Sequence, residues 1–414
     1  MQQFRIENGT NKFSARKCGM TIDIHNDSSI PQIHWRNAEG GTVHADWRSL
    51  AGNAPPKRVE VVDDTTPADD AYRLASEGVG LLWSGDFQNA RLLMQALKRR
   101  IDSKAQRSAA KASPVVVPMH TLFVQQRKAQ ALRTRVLSML LLPFDADHGV
   151  PLRRAPDVRE LGLQTRGPVN AHYVASFREL QGLIGAYEWR VKGVPIAALK
   201  ANIHPHYGVF SPQRGEYVDM VAHAPLPPSL KSSGKAGVAF DIGTGTGVLA
   251  AVLARRGVNK VVATDQDPGA LACALDNITQ LNVAGRVELL AADLFPPGQA
   301  QLIVCNPPWV PGLPTSPLEH AVYDPDSRML RGFLSGLAAH LAPGGEGWLI
   351  LSDLAEHLGL RTRAELLAWI EAAGLKVLAR ADAKPQHARA ADKADSLFKA
   401  RSAEVTSLWR LAAA

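Results

Sequence analysis

From about residue 236 to the C-terminus the sequence predicts an α/β unit on a largely parallel sheet, with helices covering both faces. Three observations carry this. Short apolar runs alternate with amphipathic helical segments over the whole stretch. The first run ends in a glycine-rich turn, Gly243-Thr-Gly-Thr-Gly247. The fourth run, Ile303-Val-Cys305, ends in the rigid sequence Asn306-Pro-Pro-Trp309.

The elements follow in order. Strands are expected at Val238–Ile242, Lys260–Thr264, Val287–Ala291, Ala300–Cys305, Glu346–Ser352, Leu375–Ala381 and Glu404–Leu411, seven in all. Helices are expected at 248–256, 269–281, 326–341 and 362–373. Ligands of such sheets bind at the carboxyl ends of the strands, near the switch in strand order.

The N-terminal half reads differently. Residues 1–70 are polar and rich in Gly, Asn, Asp and Pro, with strand-like pieces at Gln32–Arg36 and Arg58–Val62; they predict a polar arm or a small appended sheet. Residues 71–169 predict a basic helical domain. Phe87, Ala90, Leu93, Met94 and Leu97 recur at helix spacing, and Leu122, Val124, Ala129, Leu132, Val136 and Leu140 mark a second helix ending before Pro143. Residues 170–230 predict a connector in which Trp189–Gly193 and Val194–Ile196 form a hairpin with glycine at its turn. The proline-rich 224–229 and polar 231–235 mark the boundary with a domain spanning 231–414.

Bulk properties narrow the function. With 414 residues, 46% hydrophobic and 21% charged, the chain is an ordinary globular protein of two or three domains. Cys18, Cys273 and Cys305 are too few and too scattered for a disulfide framework or a zinc site, which predicts a reducing, cytoplasmic setting. No apolar run reaches the length of a membrane span, and the N-terminus lacks the apolar core of a signal peptide. The net charge of +8 is uneven: residues 1–230 hold 29 Lys+Arg against 21 Asp+Glu, whereas 231–414 hold 18 of each. Within 91–166 the balance is 15 basic to 5 acidic, which suits either a polyanion partner or a solvated basic helix face.

The glycines permit a sharp turn and close backbone approach to a ligand. Asp265 closes the second strand, where a carboxylate can accept from both hydroxyls of a ribose. Asp293 follows the third strand and can accept from an adenine amino group, with Leu294 packing on the ring. Asp241, inside the first strand, either contacts the amino group of an amino-acid moiety or is satisfied by loop amides. Gly243, Thr244, Gly245, Gly247 and Asn306 complete the expected cofactor pocket.

Asn306-Pro307-Pro308-Trp309 suits chemistry on a planar NH2 nitrogen. Such a nitrogen is a poor nucleophile because its lone pair is delocalised. Two fixed acceptors, the Asn306 side-chain oxygen and the Pro307 carbonyl, can bind both N–H bonds and draw the lone pair out of conjugation. Consecutive prolines hold the acceptors in place, and Trp309 offers a flat face for stacking.

This constellation resembles the class I S-adenosylmethionine-dependent methyltransferases of the Asn-Pro-Pro-aromatic subgroup, which includes the release-factor glutamine N5-methyltransferases and N6-adenine methyltransferases. The resemblance covers roughly 236–380. It implies a Rossmann-like seven-stranded methyltransferase sheet, with an N-terminal helical domain and a β-hairpin connector. It further implies S-adenosyl-L-methionine as cofactor, with Asp265 on the ribose, Asp293 on the adenine, and Asn306 and Pro307 on the substrate amide. Asp293-Leu-Phe295 and Leu302–Trp309 look most like the glutamine enzymes, and the match places Pro212 and Glu216 near the pocket mouth. The sequence departs from that group at Pro212-Gln-Arg-Gly-Glu216, at Gln301 and at Trp309, where the glutamine enzymes usually have tyrosine.

The expected activity is therefore N-methylation of a protein glutamine side chain, with a release-factor-like partner. The alternatives are an exocyclic amine of rRNA, tRNA or DNA, held through the basic N-terminal half, and a non-catalytic cofactor- or RNA-binding module. No membrane and no metal are expected. His204, His206, His320, His340 and His357 show no clean ligand spacing, and Cys305 points into the sheet. His320 and Tyr323 either line the pocket mouth or pack the loop, and residues 384–400 form a charged insertion that is either solvated or touches substrate.

Overall fold

The computed structural model describes residues 30–37, 39–111, 117–212, 215–232, 237–314, 317–385 and 392–414. They form two compact units, one of residues up to 117 and 124–187, the other of 118–123 and 188–414.

The first unit contains β1 (Gln32–Arg36), β2 (Thr42–Trp47), β3 (Val59–Val62), α1 (Ala68–Glu77), β4 (Gly80–Trp83), α2 (Phe87–Lys111), most of α3 (Met119–Leu137), β5 (Leu140–Phe144), α4 (Arg159–Arg166), β6 (Tyr173–Ser176) and most of α5 (Phe177–Lys192). Its six strands make one sheet in the order β1-β2-β6-β5-β4-β3. β3, β4 and β5 are parallel, so α1 and then α2–α3 serve as crossovers between them. Helix α1 buries Ala71, Leu74 and Ala75 at helical spacing, carries Asp69 and Asp70 in its first turn, and stops at Gly78 with φ 87°.

The expected helical domain at 71–169 is therefore corrected: this region supplies β4 and β5 to a mixed sheet that also takes in β1–β3 from the expected arm. The cause is legible. Leu81, Leu82, Trp83, Leu140, Leu141 and Leu142 are all buried. Short runs without alternation suit a strand covered on both faces as well as a buried helix segment. Leu140 lies in β5, after the helix that was expected to include it, and Pro143 sits inside that strand opposite Val174. Residues 1–29 lie outside the described residues.

The second unit opens with the hairpin β7 (Val194–Ile196) and β8 (Ala201–Ile203). The hairpin lies one element later than expected. Trp189–Lys192 belong to the last turn of α5, and Gly193, at φ 74°, ends that helix instead of forming the hairpin turn. Two short helices follow, α6 (Glu216–His223) and α7 (Pro228–Ser232).

The main sheet contains β9 (Val238–Ile242), β10 (Lys260–Asp265), β11 (Val287–Ala291), β12 (Ala300–Cys305), β13 (Leu341–Ser352), β14 (Leu375–Ala383) and β15 (Thr406–Ala413). Their order is β11-β10-β9-β12-β13-β15-β14. The first five are parallel, and β15 is antiparallel to both of its neighbours. The helices are α8 (Val248–Arg255), α9 (Pro268–Gln280), α10 (Arg328–His340), α11 (Leu354–His357), α12 (Arg363–Ala372) and a short helix at Phe398–Ala403.

Alternation along each strand builds two apolar layers. Ala239, Val261, Ala263, Leu302, Val304 and Trp348 pack with α8 on one face. Phe240, Ile242, Val262, Ile303, Cys305 and Leu349 pack with α10 and α12 on the other. Strands one, three and four keep the limits expected from sequence. The fifth begins at Leu341, ahead of Glu346, and the last starts at Thr406.

Candidate active site

Strand order lines up the site residues along the carboxyl edge of the sheet. Asp293 follows β11, Asp265 ends β10, the glycine turn follows β9, and Asn306 follows β12. These four strands are consecutive neighbours, so the positions occur in the sequence Asp293, Asp265, Gly243–Gly247, Asn306.

The turn is built for close approach. Gly243, Gly245 and Gly247 have φ of 69°, 54° and 78°, a region that side chains rarely adopt. Each glycine has a separate reason. A Cβ at Gly243 would stand 2.5 Å from the Met329 Cε, and one at Gly247 would crowd Ala274 on α9 at 3.2 Å. A Cβ at Gly245 would meet nothing within 4 Å, which leaves open space over the middle of the turn.

Asp265 is half-buried, and its oxygens accept from the backbone N–H of Gly245 at 3.0 Å and of Asp267 at 3.0 Å. Burial pushes its pKa up, against the pull of those amide bonds. Asp241 is 1% exposed, and one oxygen takes both the Thr244 hydroxyl at 2.7 Å and the Ala250 N–H at 3.0 Å. Burial raises its pKa to about 6. Both bonds fall on Oδ2, so the turn and the first turn of α8 brace this carboxylate.

Asp293 is exposed and paired with Arg328 at 2.8 Å. Leu294 adopts φ 74°, accepts from the buried Thr264 hydroxyl at 2.6 Å, and packs its side chain over Gly332 of α10. Leu294 is thus anchored to the sheet by its backbone and to α10 by its side chain.

Asn306 and Trp309 are half-buried, and Pro307 is buried. The Trp309 Nε1 donates to the Asn306 Oδ1 at 2.9 Å, and the indole packs against both apolar layers. Val310 accepts from the N–H of Asp324 at 2.9 Å. Asp324, 5% exposed, in turn accepts from Met329 and Leu330 at the start of α10. This chain of bonds ties the Asn-Pro-Pro-Trp segment to the helix whose Met329 lies over Gly243.

Several structural residues had weak sequence signals. Asn277, 1% exposed on α9, donates to the Thr246 carbonyl at 3.0 Å and accepts from the His204 N–H at 2.7 Å. It joins the glycine turn to the segment after β8. A lone asparagine in Leu275-Asp-Asn277 has no motif to announce it. Asp324, before Pro325, has the usual signature of a helix start. His206 bonds Asp276 at 2.8 Å, and burial lowers its pKa. Tyr323 packs against Gly312 and forms a bridge with Val310, while His320 is exposed. Burial raises the Cys305 thiol well above its ordinary value, which makes it inert. Among the described residues there is no metal-binding cluster and no helix long and apolar enough to cross a membrane.

The residues present fit S-adenosylmethionine. Its hydroxyls and ammonium are donors, and the edge offers carboxylates and an uncovered turn. Pro212 is buried, and Glu216, four residues on, has a buried Oε1 with no hydrogen-bond partner among the described residues, an acceptor suited to an ammonium group.

Comparisons with known proteins find methyltransferases. Residues 200–362 match the methyltransferase small domain family. The chain is 35% identical over 150 residues to a release factor glutamine methyltransferase of Cereibacter sphaeroides, covering 33% of this chain and 51% of that one. It is 35% identical over 147 residues to a ribosomal protein L11 methyltransferase of Pelotomaculum thermopropionicum, covering 35% and 40%. It is 34% identical over 136 residues to a tRNA1(Val) (adenine(37)-N6)-methyltransferase of Pedobacter heparinus, covering 29% and 58%. The chain thus spans about half the length of these relatives.

Proposed function

We propose that this protein is an S-adenosylmethionine-dependent N-methyltransferase that acts on a planar NH2 nitrogen. One observation carries the reading: the glycine turn and the Asn306–Trp309 segment end adjacent parallel strands, β9 and β12. Asp293, Asp265 and the turn would hold the cofactor along the sheet edge, with Asn306 next in the row beside its reacting end. When bound, S-adenosylmethionine supplies an activated methyl carbon on a sulfonium. Asp293 holds the adenine and Asp265 the ribose. Asn306 Oδ1 and the Pro307 carbonyl accept the two N–H bonds of the acceptor and aim its lone pair at that carbon. The methyl carbon would pass from its sulfur to the acceptor nitrogen, and one nitrogen proton would leave to solvent.

The preferred acceptor is a glutamine side chain of a protein. The β7–β8 hairpin before the main sheet supports this, as does the likeness to release factor glutamine methyltransferases. A second reading, an exocyclic amine of a nucleic acid, is favoured by the exposed Arg99, Lys104, Arg107, Lys128 and Arg135 on α2 and α3. Methyl transfer from labelled S-adenosylmethionine into a cell extract separates the two. Product destroyed by protease and spared by nuclease supports the glutamine reading, and the converse supports nucleic acid. No labelled product in either fraction overturns the proposal.

A further inference from the structure

Asn306 must present oxygen, not nitrogen, to an incoming NH2 group. An asparagine amide on its own does not fix that choice, because half a turn about its last bond exchanges acceptor for donor. Trp309 removes the ambiguity. Its Nε1 lies 2.9 Å from Oδ1 of Asn306, and an indole nitrogen only donates. A flipped amide would set its own N–H bonds against the indole N–H.

The indole is itself held. Its ring packs against both apolar layers of the sheet, and Pro307 and Pro308 restrain the backbone between the two residues. Phenylalanine would offer no donor at this point, and the hydroxyl of tyrosine lies at the far tip of the ring. An aromatic residue that served only as a stacking face would have no use for an N–H aimed at Asn306.

We propose that Trp309 is a positioning residue: its indole N–H locks the Asn306 amide with the oxygen offered to the acceptor nitrogen. One lone pair of Oδ1 binds the indole, and the other is left for an N–H of the acceptor. The inference rests on the methyl-transfer reading and adds a role for Trp309 that is separate from stacking.

The test uses the full chain and two replacements at position 309. Trp309→benzothienylalanine keeps the bicyclic ring and puts sulfur where the N–H was, and Trp309→Phe removes the donor with part of the ring. The probe is labelled S-adenosylmethionine with a total cell extract as the source of acceptor. Initial rates at saturating cofactor should fall about three- to tenfold in both variants, the loss of one hydrogen bond. Cofactor affinity by calorimetry should be unchanged, and neither replacement should slow an Asn306→Ala background further.

A benzothienylalanine variant at the wild-type rate, with Asn306→Ala nearly inactive, overturns the positioning role and leaves Trp309 as packing. A wild-type rate in Asn306→Ala instead overturns the acceptor role of Asn306 on which the inference rests, and no labelled product from the wild-type protein overturns the methyl-transfer reading. A readout independent of activity is the indole 15N–1H signal of Trp309. It should shift and exchange faster in Asn306→Ala, and an unmoved signal also overturns the role.

Discussion

The carboxylate of Asp265, at the tip of β10, accepts the backbone N–H of Gly245 at 3.0 Å. One side chain therefore both braces the glycine turn and stands where a ribose is expected. Asp265→Ala should weaken S-adenosylmethionine binding by roughly tenfold or more, since hydrogen bonds to a charged acceptor are worth about 1.5–3 kcal/mol each. Isothermal calorimetry measures this, and unchanged affinity removes Asp265 from the ribose role.

Asp293 and Arg328 form an exposed ion pair, so the bond itself should add little to stability, about 0–1 kcal/mol. If Asp293 receives the adenine, Asp293→Ala weakens cofactor binding while Arg328→Ala, which frees the carboxylate, does not. Equal losses in both variants would assign the effect to the pair instead.

Asp241 gives a pH signature. Its folded pKa of about 6 lies above the ordinary carboxylate value, so the folded state holds this proton more tightly than the unfolded chain. Its contribution is most favourable below about pH 4 and is lost as pH rises through about 6. Asp241→Asn keeps an oxygen for Thr244 and Ala250 and removes the charge. The stability of this variant relative to wild type should rise between pH 4 and pH 7 by about 2–3 kcal/mol, the equivalent of a shift of about two pK units. Urea unfolding at each pH checks this, and a difference that does not vary with pH contradicts it.

Asn277 bridges the Thr246 carbonyl and the His204 N–H from a buried position. Asn277→Ala leaves both groups without that partner and should cost about 2–4 kcal/mol of stability. Cofactor affinity should fall with it, because the glycine turn loses its tie to α9. A variant of normal stability and affinity would show that neither bond matters.

The catalytic sheet was legible because its signals agree at several levels. Apolar runs, glycine turn and helix starts place Val238–Ile242, Val287–Ala291 and Ala300–Cys305 at their observed limits. The first unit was misread where short leucine-rich runs carry no period. Leu81–Trp83 and Leu140–Leu142 are buried on both faces, so neither a twofold nor a helical pattern appears. Within the site, the sequence located Asp265 and Asn306 but not what holds them. The bonds Gly245–Asp265 and Asn277–Thr246 link residues whose spacing obeys no motif, and the Asn-Pro-Pro-Trp motif does not announce that Trp309 donates to Asn306. Asp241 shows the same limit, since one spacing allowed both a ligand contact and a loop brace.

The central claim is that Asn306 acts on the acceptor nitrogen and not on the cofactor's hold. Asn306→Ala should cut labelled methyl transfer at saturating S-adenosylmethionine by about 100-fold or more, as loss of a preorganised group aimed at the reacting centre does. Calorimetric affinity for the cofactor should stay near the wild-type value. A variant that transfers methyl groups at the normal rate would contradict the account.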